Sequence, residues 1–170
     1  MTVTAILMNQ KSAFVAVKRH ARIESVIDLM TKNGVGSVAV IGESGQLEGM
    51  IVERDILKAI DTRLSVLVPL QARDIMSRRA PVCSLDDSES TLMERMSEGG
   101  TQYLPVVDGG EVVAIVSMAD VVETRVMKIK SLMKEIADTV HIEKHLDYFT
   151  RHLKPLRSIG SSMARQQRVG

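Results

Sequence analysis

Two aspartates stand at equivalent places in two similar stretches of this chain. The stretch GMIVERDILKAI begins at Gly49 and contains Asp55, and the stretch AIVSMADVVETR begins at Ala114 and contains Asp120. An ionised carboxylate only accepts hydrogen bonds, which suits the two vicinal hydroxyls of a ribose. Ser117, three residues before Asp120, has a hydroxyl that can take a phosphate together with the free N–H groups of a helix start. The spacing is therefore compatible with binding of a phosphorylated ribose.

The same Ser-x-x-Asp spacing also fits a purely structural device. In a capping box, Ser117 would cap the helix and the Asp120 carboxylate would reach back to the backbone. The spacing alone leaves both interpretations open. In the first stretch Val52 holds the position of Ser117 and cannot cap, yet Asp55 is kept. A favourable interaction of Asp55 with the helix dipole is a further alternative there.

The elements that position these aspartates occur twice along the chain. Asp55 and Asp120 are 65 residues apart, and the apolar run SVAVIG from Ser37 corresponds to YLPVVD from Tyr103 at a spacing of 66. The difference of one residue falls in the turn between two strands, where insertions cost little. Helical apolar spacing with a Gly-containing end precedes each of these strands. Each copy is therefore predicted to run strand, helix, strand, Gly turn, strand, helix.

Composition indicates a water-soluble globular protein. The chain has 170 residues, with 45% hydrophobic, 25% charged and a formal net charge of +1, so charge does not favour nucleic acid as a partner. Cys83 is the only cysteine, which excludes an intrachain disulfide and fits a reducing compartment. It is expected to be a small apolar filler of a buried strand rather than a nucleophile. With no signal peptide and no apolar run of about 18 residues, a cytoplasmic protein without a membrane span is expected.

This doubled pattern resembles a tandem pair of CBS domains (the cystathionine β-synthase domain) of the standalone bacterial type. The segment LPVVDGGEVVAIVSMADVV from Leu104 is similar to that family's strand, turn, strand and helix-start signature. The resemblance implies an α+β fold in which two β-α-β-β-α repeats pack as a pseudo-twofold pair, followed by a C-terminal helical extension. The expected division is an N-terminal segment 1–11, repeats 12–68 and 72–127, a helical extension 128–153 and a basic, disordered tail 154–170.

The resemblance also implies clefts between the repeats that bind an adenosine-containing ligand such as AMP, ATP, NAD or S-adenosylmethionine. The second-copy cleft is expected to be the working site, because Val52 removes a phosphate ligand from the first. Many family members carry Arg and His before the LPVV strand, whereas this chain has Gln102 and Tyr103 there, which lowers the expected phosphate affinity. The residues predicted to contact the ligand are Ser117, Asp120, Asp55, Arg54, Tyr103 and Pro105.

The predicted function is that of a ligand sensor without catalytic activity. Two isolated aspartates on separate helix starts provide neither a nucleophile with its base nor a metal pair, so an enzyme is the weaker reading. The other alternative is an assembly module with degenerate clefts that binds no nucleotide.

The C-terminal part carries the signal for assembly. Six apolar residues recur there at helical spacing: Val122, Val126, Ile129, Met133, Ile136 and Val140. This pattern predicts that the last helix extends beyond the second repeat and pairs with a second copy of the chain, giving a homodimer. A bend is expected near 141–145. His141, His145 and His152 would lie on one side of a continuing helix, as ligands of a metal ion can. We interpret them instead as part of a solvent-exposed polar helix face.

Overall fold

The computed structural model describes residues 1–11, 14–63 and 70–140 of the chain. A short helix, α1 (Val3–Leu7), comes first. The first repeat comprises β1 (Ala16–Lys18), α2 (Ile23–Asn33), β2 (Ser37–Ile41), β3 (Leu47–Val52) and α3 (Glu53–Arg63). The second comprises α4 (Ala72–Ile75), α5 (Glu89–Glu98), β4 (Tyr103–Asp108), β5 (Glu111–Ser117) and α6 (Met118–Val140).

The first repeat is a three-stranded sheet covered by helix α2. Strand β2 lies in the middle, parallel to β1 and antiparallel to β3. One face of α2 buries Ile23, Val26 and Met30, which recur at helical spacing. The helix ends at Gly34, whose φ of 62° is the left-handed conformation that glycine adopts without strain. The predicted glycine C-cap of this helix is confirmed.

The second repeat is built around the antiparallel hairpin of β4 and β5. The sequence predicts a further strand in APVCSL, and the structure has a single parallel bridge there, between Cys83 and Val106. The Cys83 amide donates to the Pro105 carbonyl at 3.0 Å, and Val107 donates back to Cys83 at 2.8 Å. A turn follows at once, in which the Asp87 carboxylate accepts from the Ser84 amide at 2.8 Å. The turn explains why the pairing stops after one residue.

Helix α1 belongs to the core of the second repeat. Val3 and Ile6 are fully buried and pack with a cluster that includes Leu92, Leu104 and Val116. Val3 and Thr4 also donate backbone hydrogen bonds to the carbonyls of residues 87 and 85. The sequence treats residues 1–11 as a separate segment, and the structure shows that their apolar side chains complete a core whose other members lie more than 75 residues away. The predicted domain limits themselves stay a prediction.

The two repeats pack on each other through their sheets. A third buried cluster joins Ala39 and Met50 of the first repeat to Val112 and Ile115 of the second. A backbone hydrogen bond of 3.1 Å from the Val112 amide to the Gly45 carbonyl connects the two hairpin turns. The predicted α+β fold of two packed repeats is confirmed.

Helix α6 continues to Val140, as the apolar spacing predicts. Up to Arg125 it belongs to the compact unit that contains both repeats, and Arg125 forms an ion pair with Glu89. From Val126 onward the helix is part of a second unit, on which six large apolar side chains are exposed: Val126, Met127, Ile129, Leu132, Met133 and Ile136. The predicted bend, the three histidines and the basic tail lie outside the described residues. No helix in the described ranges combines the length and apolarity that a membrane span requires.

Candidate functional site

A cavity of about 610 Å³ opens between the two repeats. The first repeat contributes Val52, Glu53 and Arg54, at the junction where β3 passes into α3. The second repeat contributes the side of α5, the segment 100–103 before and at the start of β4, and Met118 at the start of α6. This volume lies within the range of about 300–1,000 Å³ that is typical of small-molecule sites. The cavity is therefore a candidate ligand site to which both repeats contribute.

Arg54 connects the two repeats across this cavity. Its guanidinium Nη2 donates a hydrogen bond of 3.1 Å to the carbonyl of Gly100, in the loop before β4. The side chain is exposed and lines the cavity. Arg54 thus reaches the second repeat, and its role as a ligand contact stays a prediction.

Tyr103 forms another part of the cavity wall. The Tyr103 hydroxyl lies against Gly36. A Cβ added at Gly36 would collide with this hydroxyl and would lie 3.4 Å from the carboxyl carbon of Glu53. Burial raises the pKa of the Tyr103 phenol, and the carboxylates of Glu53 and Asp120 raise it further. Tyr103 is therefore held between the two strand-to-helix junctions by a close fit, which the absence of a side chain at Gly36 permits.

Ser117 and Asp120 form the reciprocal capping box that their spacing allows. One Asp120 carboxylate oxygen, Oδ2, accepts from the Ser117 amide at 2.7 Å and from the Ser117 hydroxyl at 2.5 Å. In return the Asp120 amide donates to the Ser117 hydroxyl oxygen at 3.1 Å. These bonds satisfy backbone groups at the start of α6, which would otherwise lack partners. Ser117 and Asp120 therefore form the predicted capping box. The roles of the pair in ribose and phosphate binding stay predictions.

Asp55 makes half of the same arrangement in the first repeat. Its carboxylate oxygen Oδ2 accepts from the Val52 amide at 3.0 Å, and Val52 has no hydroxyl to return a bond. The repeated aspartate therefore fastens the same strand-to-helix junction in both copies. This shared contact gives a structural reason for the recurrence of Asp at 55 and 120.

Gln10 contacts the second junction and was not predicted from the sequence. Its side-chain Nε2 donates to the Ile115 carbonyl at 2.7 Å and to Asp120 Oδ2 at 3.2 Å. The same carboxylate oxygen thus has donors from both Ser117 and Gln10. Because Gln10 and Asp120 are 110 residues apart in the chain, no local motif indicates this contact.

Of the six residues predicted to contact a ligand, Arg54 and Tyr103 line the cavity. Pro105 is buried within β4, opposite Ile115, and its carbonyl accepts from Cys83. Ser117, Asp120, Asp55 and Pro105 are not among the lining residues. The cavity adjoins the first-copy junction at Val52 and touches the second-copy junction through Met118. The preference for the second-copy cleft stays a prediction.

Cys83 is buried, and desolvation raises the pKa of its thiol to about 12. The thiol lies 3.7 Å from the carbonyl oxygen of Pro105. A thiol in this state is not a nucleophile near neutral pH. Among the described residues, no three His, Cys, Asp or Glu side chains are grouped so that they could hold a metal ion.

Known proteins share both the sequence pattern and the fold. The family model for the CBS domain matches residues 3–62 and 72–126, about two thirds of the chain. An uncharacterised protein of Methanopyrus kandleri is 28% identical over 108 residues, a match that covers 63% of this chain and 55% of the relative. The chain thus spans little more than half the length of this curated relative.

Two solved CBS proteins illustrate the likeness of fold. The CBS domain pair of protein MJ0100 is similar to this chain with a TM-score of 0.65 and 22% identity, covering 75% of this chain and 98% of that one. The CBS domain protein PAE2072 from Pyrobaculum aerophilum has a TM-score of 0.61 and 24% identity, covering 71% and 89%. With two matches to the family model and this shared fold, the chain belongs to the CBS domain family and contains a tandem CBS pair.

Proposed function

We propose that this chain is a regulatory module without catalytic activity that binds an adenosine-containing ligand in the cavity between its two repeats. The observation that carries the proposal is the composition of the cavity wall, to which both repeats contribute. A ligand that contacts both repeats favours the arrangement that brings them together, and so converts binding into a change of conformational population. This is the physical basis of a sensor.

The ligand class is supported by relatives of the same fold. PAE2072 was solved in complex with AMP, and the MJ0100 domain pair in complex with 5′-methylthioadenosine and S-adenosyl-L-methionine. AMP, ATP, NAD and S-adenosylmethionine all contain adenosine and are the candidates for this chain. The cavity volume is sufficient for an adenosine with a substituent at its 5′ position.

The lining residues support binding rather than catalysis. The aromatic ring of Tyr103 and the side chains of three methionines offer apolar contact area to a purine, while Arg54 offers a cationic donor. The two charged residues of the wall, Glu53 and Arg54, are adjacent in the chain and do not constitute a nucleophile with its general base. In this proposal the module acts in the cytoplasm.

Calorimetry and thermal denaturation of the full chain test the proposal. AMP, ATP, NAD and S-adenosylmethionine are titrated separately, and at least one is expected to release heat and raise the melting temperature. Arg54→Ala is expected to weaken the binding of AMP, ATP and NAD, whose phosphates the guanidinium would attract, whereas Arg78→Ala, which removes an exposed arginine outside the cavity, leaves it unchanged. Failure of all four ligands to bind the wild type would reject the proposal.

A second candidate function is supported by the exposed apolar residues of α6. Val126, Ile129 and Ile136 are 44%, 55% and 60% exposed, which leaves a row of apolar side chains accessible for protein contact. In this alternative the chain is an assembly module that forms a homodimer through helices and binds no nucleotide. A dimer whose melting temperature is unaffected by all four adenosine ligands would support it over the sensor.

A further inference from the structure

The charged side chains that line the cavity, counted over the residues that the structure describes, have no net charge. Glu53 and Arg54 are the only ionisable Asp, Glu, Lys, Arg or His side chains among the described lining residues. The Arg54 guanidinium already donates one hydrogen bond to the Gly100 carbonyl. A triphosphate or diphosphate placed here would meet one cation that is partly engaged and one carboxylate that repels it. The described part of the wall therefore lacks the excess positive charge with which phosphates are usually bound.

The helix start beside the cavity has also lost donors that a phosphate would use. The Val52 amide donates to the Asp55 carboxylate at 3.0 Å, and the Glu53 amide donates to the Gly36 carbonyl at 3.2 Å. A helix N-terminus binds anions through such amides when they point at the ligand. In addition, Val52 occupies the position at which the second repeat has Ser117, so the junction lacks a hydroxyl donor. At this helix start the amides of Val52 and Glu53 are therefore already hydrogen-bonded, and residue 52 offers no hydroxyl to a phosphate.

The rest of the wall is suited to an apolar or weakly polar group. Met93, Met96 and Met118 line the cavity together with Val52 and Tyr103. Thioethers are polarizable and adapt to apolar and sulfur-containing groups, and a tyrosine ring attracts a cation placed over its face. Glu53, close to the Tyr103 hydroxyl, adds a carboxylate that would stabilise a positive charge in this region.

We propose that this cavity selects adenosines whose 5′ substituent is neutral or cationic, such as a thioether or a sulfonium, and discriminates against nucleoside phosphates. The inference rests on the proposed binding of an adenosine ligand and adds the chemical class of that ligand. The selection has an attractive and a repulsive contribution. Contacts with the methionines and Tyr103 favour a neutral or cationic 5′ substituent. The Glu53 carboxylate and the lack of free hydrogen-bond donors at the start of α3 disfavour a phosphate.

Four probes that share the adenosine moiety test the proposal by calorimetry on the full chain: 5′-methylthioadenosine, S-adenosylmethionine, AMP and ATP. We expect the two sulfur compounds to bind about tenfold more tightly than AMP or ATP, at one ionic strength and pH. Tighter or equal binding of AMP or ATP overturns the inference and leaves the proposed function intact. Absence of binding by all four probes rejects the proposed function as well.

Variants separate the contribution of Glu53 from general effects. Glu53→Gln is expected to weaken S-adenosylmethionine, strengthen AMP and leave 5′-methylthioadenosine unchanged, because only the first two carry charge on the 5′ substituent. Glu24→Gln is the matched control, since Glu24 is also an exposed acid in the first turn of a helix but does not line the cavity. Equal changes in all four affinities on Glu53→Gln would contradict the proposed selection.

Discussion

The Asp120 carboxylate and the Ser117 amide lie 2.7 Å apart and close the start of α6, and the Ser117 hydroxyl completes the contact. In the first repeat the equivalent contact, from the Val52 amide to Asp55, stands alone at 3.0 Å. The chain therefore contains a complete capping box at the start of α6 and half of the same arrangement at the start of α3.

Replacing each aspartate by alanine measures this difference. Asp120→Ala removes an acceptor that serves Ser117 and Gln10, so we expect the free energy of unfolding to fall by about 0.5–2 kcal/mol. Asp55→Ala removes the single hydrogen bond from the Val52 amide and should cost less. Urea denaturation of both variants provides the comparison. A loss for Asp55→Ala that equals or exceeds the loss for Asp120→Ala would contradict this ranking.

Restoring a hydroxyl at the first junction should change the ligand preference of the cavity. Val52→Ser adds a donor to the wall, and we expect AMP to bind about 3- to 10-fold more tightly while 5′-methylthioadenosine is unaffected. Val113→Ser, at an exposed position of β5 outside the cavity, is the control. Unchanged AMP affinity in Val52→Ser would show that the hydroxyl at this position does not reach the ligand.

The ionisation of Tyr103 reports on the charges around the cavity. Burial and the carboxylates of Glu53 and Asp120 raise its pKa, so its absorbance change at alkaline pH should come above the ordinary value of about 10. The native state favours the protonated phenol, so this contribution to stability is present below that pH and is lost as the pH rises through the raised pKa. Glu53→Gln should lower the pKa of Tyr103. Because the chain has a second tyrosine, Tyr148, the measurement uses a Tyr148→Phe background.

Cys83 should be unreactive in the native protein. With its thiol pKa raised to about 12 and its side chain buried, the thiolate is scarce at pH 8 and shielded from reagents. We expect no reaction with a chromogenic disulfide until denaturant unfolds the chain, and complete reaction afterwards. Since the folded pKa is raised from 9.0, this thiol contributes stability below about pH 9 that is lost as the pH rises toward 12. Rapid labelling of the folded protein would contradict the burial of Cys83.

The exposed apolar residues of α6 predict a homodimer. We expect light scattering to give twice the monomer mass at tens of micromolar, and the double change Val126→Glu with Ile129→Glu to give a monomer whose repeats stay folded. Gln substitutions at Lys128 and Lys130, between and beside these positions, provide a control variant on the same helix that lowers the net charge by the same amount. A monomeric wild type at this concentration would exclude this mode of assembly.

The repeated elements could be predicted because their signals are local. The buried positions of α2, its glycine cap at Gly34 and the two strand-to-helix junctions each depend on residues within about one helical turn or one hairpin. The capping interpretation of Ser117 and Asp120 was likewise available from their spacing. What the spacing could not decide was whether those groups also bind a ligand, because capping and ligand binding require the same types of donor and acceptor.

Contacts between distant parts of the chain could not be predicted in this way. The hydrogen bond from Gln10 to Asp120 spans 110 residues, and nothing near either residue indicates the other. The close fit of Tyr103 against Gly36 depends on how the two repeats pack, so the aromatic residue could equally have been assigned to a core. The cavity next to Val52 emerges from the same packing, although the sequence favoured the cleft of the second copy.

The burial of α1 in the second repeat has a consequence for the order in which the protein can fold. Val3 and Ile6 are synthesised before all of the other buried residues of their core, which extend to Val121. The core of the first repeat draws mainly on residues 15–76 and can assemble while the second is still being synthesised. Helix α1, with five residues, is too short to be stable alone in water and must wait for the later partners. Completion of the second core therefore requires α1 to dock on residues that lie more than 75 positions later in the chain, which is a step of high contact order.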